Sequence, residues 1–155
     1  MTRRDDKGLY NETDGNKKVA DLKNRLAIFE SNEPVLGVSI HQNSYRDASV
    51  CGPQVFYYTT SVQGEKAATL IQNSMNEMLA IAKPRVQKGN TTYYILKKTH
   101  IPLVIVECGF LSNPQDAALL SDEEYRQKVA KAVTKGILDY VEEWKKEEEV
   151  FLFIS

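Results

Sequence analysis

The sequence predicts an α/β domain, and three observations carry that prediction. Short β-branched apolar runs, such as Val35-Leu36-Gly37-Val38 and Leu103-Val104-Ile105-Val106, alternate with longer segments whose apolar residues recur at helical spacing. Clusters of Asn, Asp, Gly and Pro punctuate the boundaries. With 155 residues, 42% of them hydrophobic, the chain is long enough to bury one genuine core.

Taken in order, residues 1–16 read as a polar loop with Gly8, Asn11, Asp14, Gly15 and Asn16 as turn formers. A helix is predicted over residues 16–31, where Val19, Leu22, Leu26 and Phe29 make a one-sided stripe. Pro34 ends it, because the pyrrolidine ring disfavours helix in the residue before it. Residues 35–41 form a short strand closing on His41, and residues 54–58 an aromatic-rich one. A long helix is predicted over 63–82, with Ala68, Ile71, Met75, Met78, Leu79 and Ala82 on its core face. Its methionines serve as packing.

Residues 84–92 read as a loop around Gly89-Asn90, and 93–96 as a third short strand. The run from Leu103 to Val106 is a buried strand that ends in Glu107 and turns at Gly109; Ser112-Asn113-Pro114 breaks it. A final helix is predicted from Ser121, with Glu124 completing a capping box and Tyr125, Val129, Val133, Ile137, Tyr140, Val141 and Trp144 on the apolar face. The domain is expected to occupy residues 1–145. Residues 146–155 form a tail, charged and then apolar, read either as an added edge strand or as a chain end without structure.

Composition excludes several classes of function. The net charge is −1 and no basic patch is interleaved with aromatics, which argues against nucleic acid and anionic membranes as partners. No stretch approaches the ~20 apolar residues of a membrane span. The opening residues are charged and contain no apolar segment of the signal-peptide kind. Two cysteines, Cys51 and Cys108, supply neither a disulfide framework nor a cysteine-based zinc site.

The chemistry-bearing residues are His41 and Glu107, each closing an apolar strand. Ligands gather at the carboxyl ends of parallel strands. If these two strands are parallel in one sheet, the imidazole and the carboxylate emerge together, an arrangement suited to metal-assisted hydrolysis or general acid–base catalysis. The bland alternatives are a hydrogen-bonded structural histidine and a structural carboxylate. His100 precedes the Glu107 strand by seven residues, ~20 Å at strand rise, and reads as a surface residue at the opposite edge.

A catalytic zinc needs about three protein ligands and an open position. The residues offer one histidine, His41, with Asp5, Asp6, Glu12 and Asp14 as loop candidates of no metal-like spacing. A nucleophilic alternative pairs Cys108 with His41. It is disfavoured because Glu107 beside the thiol opposes the thiolate and adjacent strand residues face opposite ways.

Four ordered blocks then carry a resemblance. They are Val38-Ser39-Ile40-His41-Gln42-Asn43; Gly52-x-Gln54-Val55-Phe56-Tyr57-Tyr58; Tyr94-Ile95-Leu96-Lys97-Lys98-Thr99-x-x-Pro102; and Val106-Glu107-Cys108-Gly109-Phe110-Leu111-Ser112-Asn113. Together with Thr2-Arg3 and Leu22-x-x-Arg25, they resemble the zinc-dependent N-acetylmuramoyl-L-alanine amidases. The Ser39-to-Tyr45 form is most similar to the spore-cortex subgroup of Gram-positive spore formers.

The resemblance implies a mixed, mostly parallel sheet flanked by helices. It also implies hydrolysis of the amide between N-acetylmuramic acid and L-alanine in peptidoglycan, a Zn2+ cofactor, and an extracytoplasmic setting in cell wall or forespore intermembrane space. His41 matches a zinc histidine and Glu107 the catalytic glutamate. The family's other zinc histidine and its zinc glutamate have no counterpart here, so the resemblance implies a chain lacking its N-terminal strand-helix-strand, with those ligands expected upstream of Met1. Zinc held by His41 alone is then expected to be weak, activity impaired, and apolar sheet surface and a strand edge uncovered. The alternatives are a non-catalytic, peptidoglycan-binding remnant and, last, a cytosolic thiol hydrolase using Cys108.

Overall fold

A computed structural model describes residues 1, 2, 5 and 7–154 in backbone, and the side chains of those up to residue 148. The element order is α1 (Lys17–Ser31), β1 (Gly37–Asn43), β2 (Gln54–Tyr58), α2 (Val62–Met78), β3 (Lys88–Asn90), α3 (Tyr94–Lys98), β4 (Leu103–Phe110), α4 (Pro114–Ser121) and α5 (Glu123–Ile154). The four strands form one mixed sheet in the order β1-β4-β2-β3. β1 runs parallel to β4, β2 antiparallel to β4, and β3 parallel to β2. The α/β class and the mixed sheet are therefore as the sequence predicts.

β4 is central and buried along its whole length, as a near-continuous apolar run requires. Its side chains alternate between two cores. Val104, Val106 and Cys108 join Val55, Ile71, Met75, Val133 and Tyr140 under α2 and α5. Leu103 and Ile105 join Phe56 and Leu96 on the other face, with Phe29 of α1 packed against them. Helices α2 and α5 approach so closely that a Cβ on Gly136 would stand 2.5 Å from the Ile71 Cα, which is the reason for a glycine within that helix.

Several expectations are corrected. Residues 93–96 are not a strand but open helix α3. The Asn90 Oδ1 accepts the backbone N–H groups of Thr92 and Tyr93, turning the chain, and Lys97 N–H then bonds the Tyr93 carbonyl at 3.1 Å. Tyr93 and Leu96, three apart, both reach the sheet: Tyr93 packs edge-on against Phe56 and Leu96 is buried. The loop before it contains strand β3.

Helix α2 stops at Met78 rather than 82, because Ala80 adopts a left-handed conformation at φ 50. Met75 is core, but Met78 is exposed. Asn113-Pro114 breaks β4 and also starts α4: the Asn113 side chain accepts from Gln115 and Asp116 N–H, and Pro114 occupies the first turn. Ser121 is consequently the last residue of α4, and the cap of α5 is Asp122, whose Oδ1 accepts from Tyr125 N–H at 3.1 Å. The tail at 150–154 continues α5 as helix, not as an edge strand. Among the described residues no helix is long and apolar enough to cross a membrane.

Candidate active site

The β1–β4 register brings the two predicted residues together: His41 and Glu107 are direct partners. Opposite residues of a parallel pair share a face, so imidazole and carboxylate emerge side by side at the carboxyl ends of both strands. Past this pair β4 carries one extra residue, since Asn43 pairs with Phe110 and not Gly109. The bulge leaves Gly109 facing α4, where a Cβ would meet Asp116 and Leu120, and turns Phe110 to the His41–Glu107 face.

The end of β4 is clamped. Asp116 Oδ2 accepts the N–H groups of Phe110 and Gly52, both at 2.8 Å. Asn113 Nδ2 donates to the Ala48 carbonyl at 2.7 Å, and Ser112 Oγ accepts from Tyr45 N–H at 2.9 Å. The loop after β1 is thereby tied to the turn after β4.

Glu107 is 8% exposed, and its Oε2 is buried without a hydrogen-bond partner among the described residues. Burial pushes its carboxyl pKa up from the usual carboxylate value. Tyr93 borders it: burial and, after that, the Glu107 charge raise the Tyr93 phenol. An orphaned, proton-retentive carboxyl of this kind is suited to taking and returning a proton.

His41 lies on the solvent side of β1, its ring facing a groove of about 140 Å³ lined by Arg25, Phe29 and Ser39. Desolvation there and then the Arg25 charge lower its pKa, so the imidazole is neutral at neutral pH. Ser39 Oγ stands 2.9 Å from His41 Nε2. In the tautomer with Nε2–H donating to that hydroxyl, Nδ1 keeps a lone pair that a metal can take; in the other the hydroxyl donates to Nε2.

The other sequence candidates do not converge on this pair. Asp5 accepts from Lys7 N–H, Asp14 from Asn11 N–H, and Glu12 pairs with Lys17 at 2.8 Å; all three serve local contacts. Asp6, like Arg3 of the resemblance, lies outside the described residues. His100 is exposed at the amino end of β4, beside Ser61 and Lys97, at the opposite edge. Cys108 faces the α2–α5 core, away from His41, and burial, followed by the Glu107 charge, pushes its thiol up to about 11. That overturns the thiol-hydrolase alternative.

Among the described residues no group of three His, Cys, Asp or Glu side chains is placed to hold a metal. One imidazole nitrogen falls short of the donor set of a catalytic zinc, so these residues do not fit the metal on their own.

Sequence reasoning missed Gln54 and Arg85. Gln54 on β2 is the register partner of Glu107 on its other side, and its Oε1 accepts from Arg85 Nε at 2.9 Å. Neither carries a periodic signal; only the strand pairing brings them to the site.

Residues 1–139 match the family described as N-acetylmuramoyl-L-alanine amidase (Amidase_3). The germination-specific N-acetylmuramoyl-L-alanine amidase of Bacillus subtilis is 36% identical over 146 residues, covering 92% of this chain and 61% of that protein. The chain thus spans about three-fifths of that relative's length. Among solved structures, the CwlD amidase of Clostridioides difficile, in complex with the GerS lipoprotein, superposes with a TM-score of 0.85 at 34% identity, over 91% of this chain and 74% of that one. The catalytic domain of CwlV from Bacillus (Paenibacillus) polymyxa gives 0.74 at 26% identity, over 91% of this chain and 70% of that one.

Proposed function

This chain belongs to the N-acetylmuramoyl-L-alanine amidase family, and on that footing we propose that it serves hydrolysis of the amide between N-acetylmuramic acid and L-alanine in peptidoglycan. The observation that carries the reading is the register pairing of His41 with Glu107 on parallel strands, with Glu107 buried and orphaned. Glu107 accepts a proton from the attacking water and returns it to the leaving amine, a task its raised pKa favours. His41 is the zinc-ligand candidate, and among the described residues no two further donors are grouped with it. The likeness to a germination-specific amidase and to CwlD supports an extracytoplasmic, spore-cortex or cell-wall setting.

The test is digestion of purified sacculi with zinc present or chelated, scored by new alanine amino termini. Release by this chain is expected to be slow, because one histidine holds zinc weakly, and Glu107→Gln lowers that slow rate by roughly 10²–10⁴-fold, the usual worth of a general acid–base group. Release that survives Glu107→Gln and His41→Ala sinks the assignment. The lack of a three-donor group among the described residues favours a second reading, a non-catalytic peptidoglycan-binding chain; sacculus binding with no release of alanine termini supports it.

A further inference from the structure

The proton chemistry at Glu107 makes no use of Arg85, yet this side chain is held as a site residue would be. Its Nε donates to Gln54 Oε1 and its Nη1 to the Cys51 carbonyl, each at 2.9 Å, and its Cζ lies 5.4 Å from the centre of the Phe110 ring. Those supports are fixed in turn. Gln54 Nε2 donates to the Val86 carbonyl, and Asn76 Nδ2 donates to the Arg85 carbonyl at 2.7 Å. Gln54 pairs with Glu107, and the bulge turns Phe110 to the Glu107 face, so the guanidinium lies over the same sheet end, one strand away.

Arg85 has no carboxylate within ion-pair distance among the described residues. Its Nη2 makes no hydrogen bond among them and is not among the buried orphans, which leaves it open to solvent. A guanidinium already ordered, uncompensated and with one amino group free is prepared to bind a carboxylate at little entropic cost.

We propose that Arg85 is the anchor for a carboxylate of the substrate peptide, one or two residues beyond the scissile amide. This rests on the amidase reading, which sets the scissile carbonyl at Glu107. Neighbouring strands stand ~5 Å apart and an extended peptide advances ~3.3–3.6 Å per residue. A cation one strand and one glutamine side chain from Glu107 therefore meets the second or third peptide residue, not the reacting one.

The rival role is structural: Arg85 could simply staple the loop after α2 to the sheet. Two probes separate the roles: alanyl-γ-glutamyl-lysine with its glutamyl α-carboxylate free, and the same peptide with that group amidated. Each is titrated calorimetrically into the full chain. The free acid is expected to bind about tenfold or more tighter than the amide, the usual gain from a charge-assisted hydrogen bond. Arg85→Gln brings that ratio close to one and leaves amide affinity unchanged; Arg85→Lys keeps part of it, retaining charge without the planar fork.

A staple would change thermal stability and both affinities alike. An acid-to-amide ratio unchanged in Arg85→Gln overturns the proposal, as does a wild type that binds the two peptides equally or binds neither. If Arg85→Gln is too unstable to titrate, Arg85→Lys decides: a ratio equal to wild type overturns the proposal and a reduced one supports it. Arg85-dependent discrimination by a chain that releases no alanine termini from sacculi supports the carboxylate site and removes the amidase reading alone. Release with Arg85-independent discrimination does the reverse.

Discussion

At the scale of single residues, Glu107 is a carboxyl whose charge costs folding free energy. The folded state holds its proton more tightly than the unfolded chain, where the ordinary value is about 4.5. The folded protein therefore binds more protons across that window, and the stability this residue contributes falls as pH rises from about 4.5 through the raised folded value. Glu107→Gln removes that loss. It is expected to raise Tm at pH 7, with the gain over wild type shrinking below pH 4; a gain that stays constant from pH 4 to 8 refutes burial as the cause. His41 and Glu107 were legible in the sequence because each ends an apolar run, a break in pattern that needs no partner to be seen. Arg85 was not, because it sits in a loop without period and gains its meaning from Gln54 and Phe110, which reach it only through strand pairing and a bulge.

At the scale of elements, the turn from β4 into α4 does most to hold the site end of the sheet. Asn113 caps α4 through Oδ1 and holds the loop after β1 through Nδ2, and it is 5% exposed. Asn113→Ala removes both, and a loss of about 1–2 kcal/mol is expected in urea unfolding, from the lost cap and the lost hydrogen bond to the Ala48 carbonyl. A change within ±0.3 kcal/mol would show that the cap carries no weight. The same dipeptide shows why this region misleads a sequence reader: Asn-Pro stops a strand and starts a helix with the same chemistry. Residues 93–96 mislead for another reason. A four-residue apolar run fits either period, and the Asn90 side chain, not the run itself, decides for helix.

At the scale of the molecule, β1 is an edge strand whose outer side pairs with nothing among the described residues. Ile40 on it is 56% exposed, beside a cavity of about 430 Å³ lined by Val38, Leu120, Val129 and Val133. An open, partly apolar edge invites edge-to-edge pairing. Ile40→Lys is expected to lower concentration-dependent self-association in light scattering while leaving Tm within a degree or two; association unaffected by the lysine would place it elsewhere. Alternating strands and helices made the α/β class legible. The order β1-β4-β2-β3 was not, since pairing partners come from distant parts of the chain. That order has a kinetic side as well. His41 and Glu107 meet only through a strand pair whose members lie in the first and last thirds of the sequence, the kind of non-local contact that forms slowly. No locally folded fragment can hold the pair, so His41 and Glu107 come together only once β1 has docked on β4, and their meeting dates that step of folding.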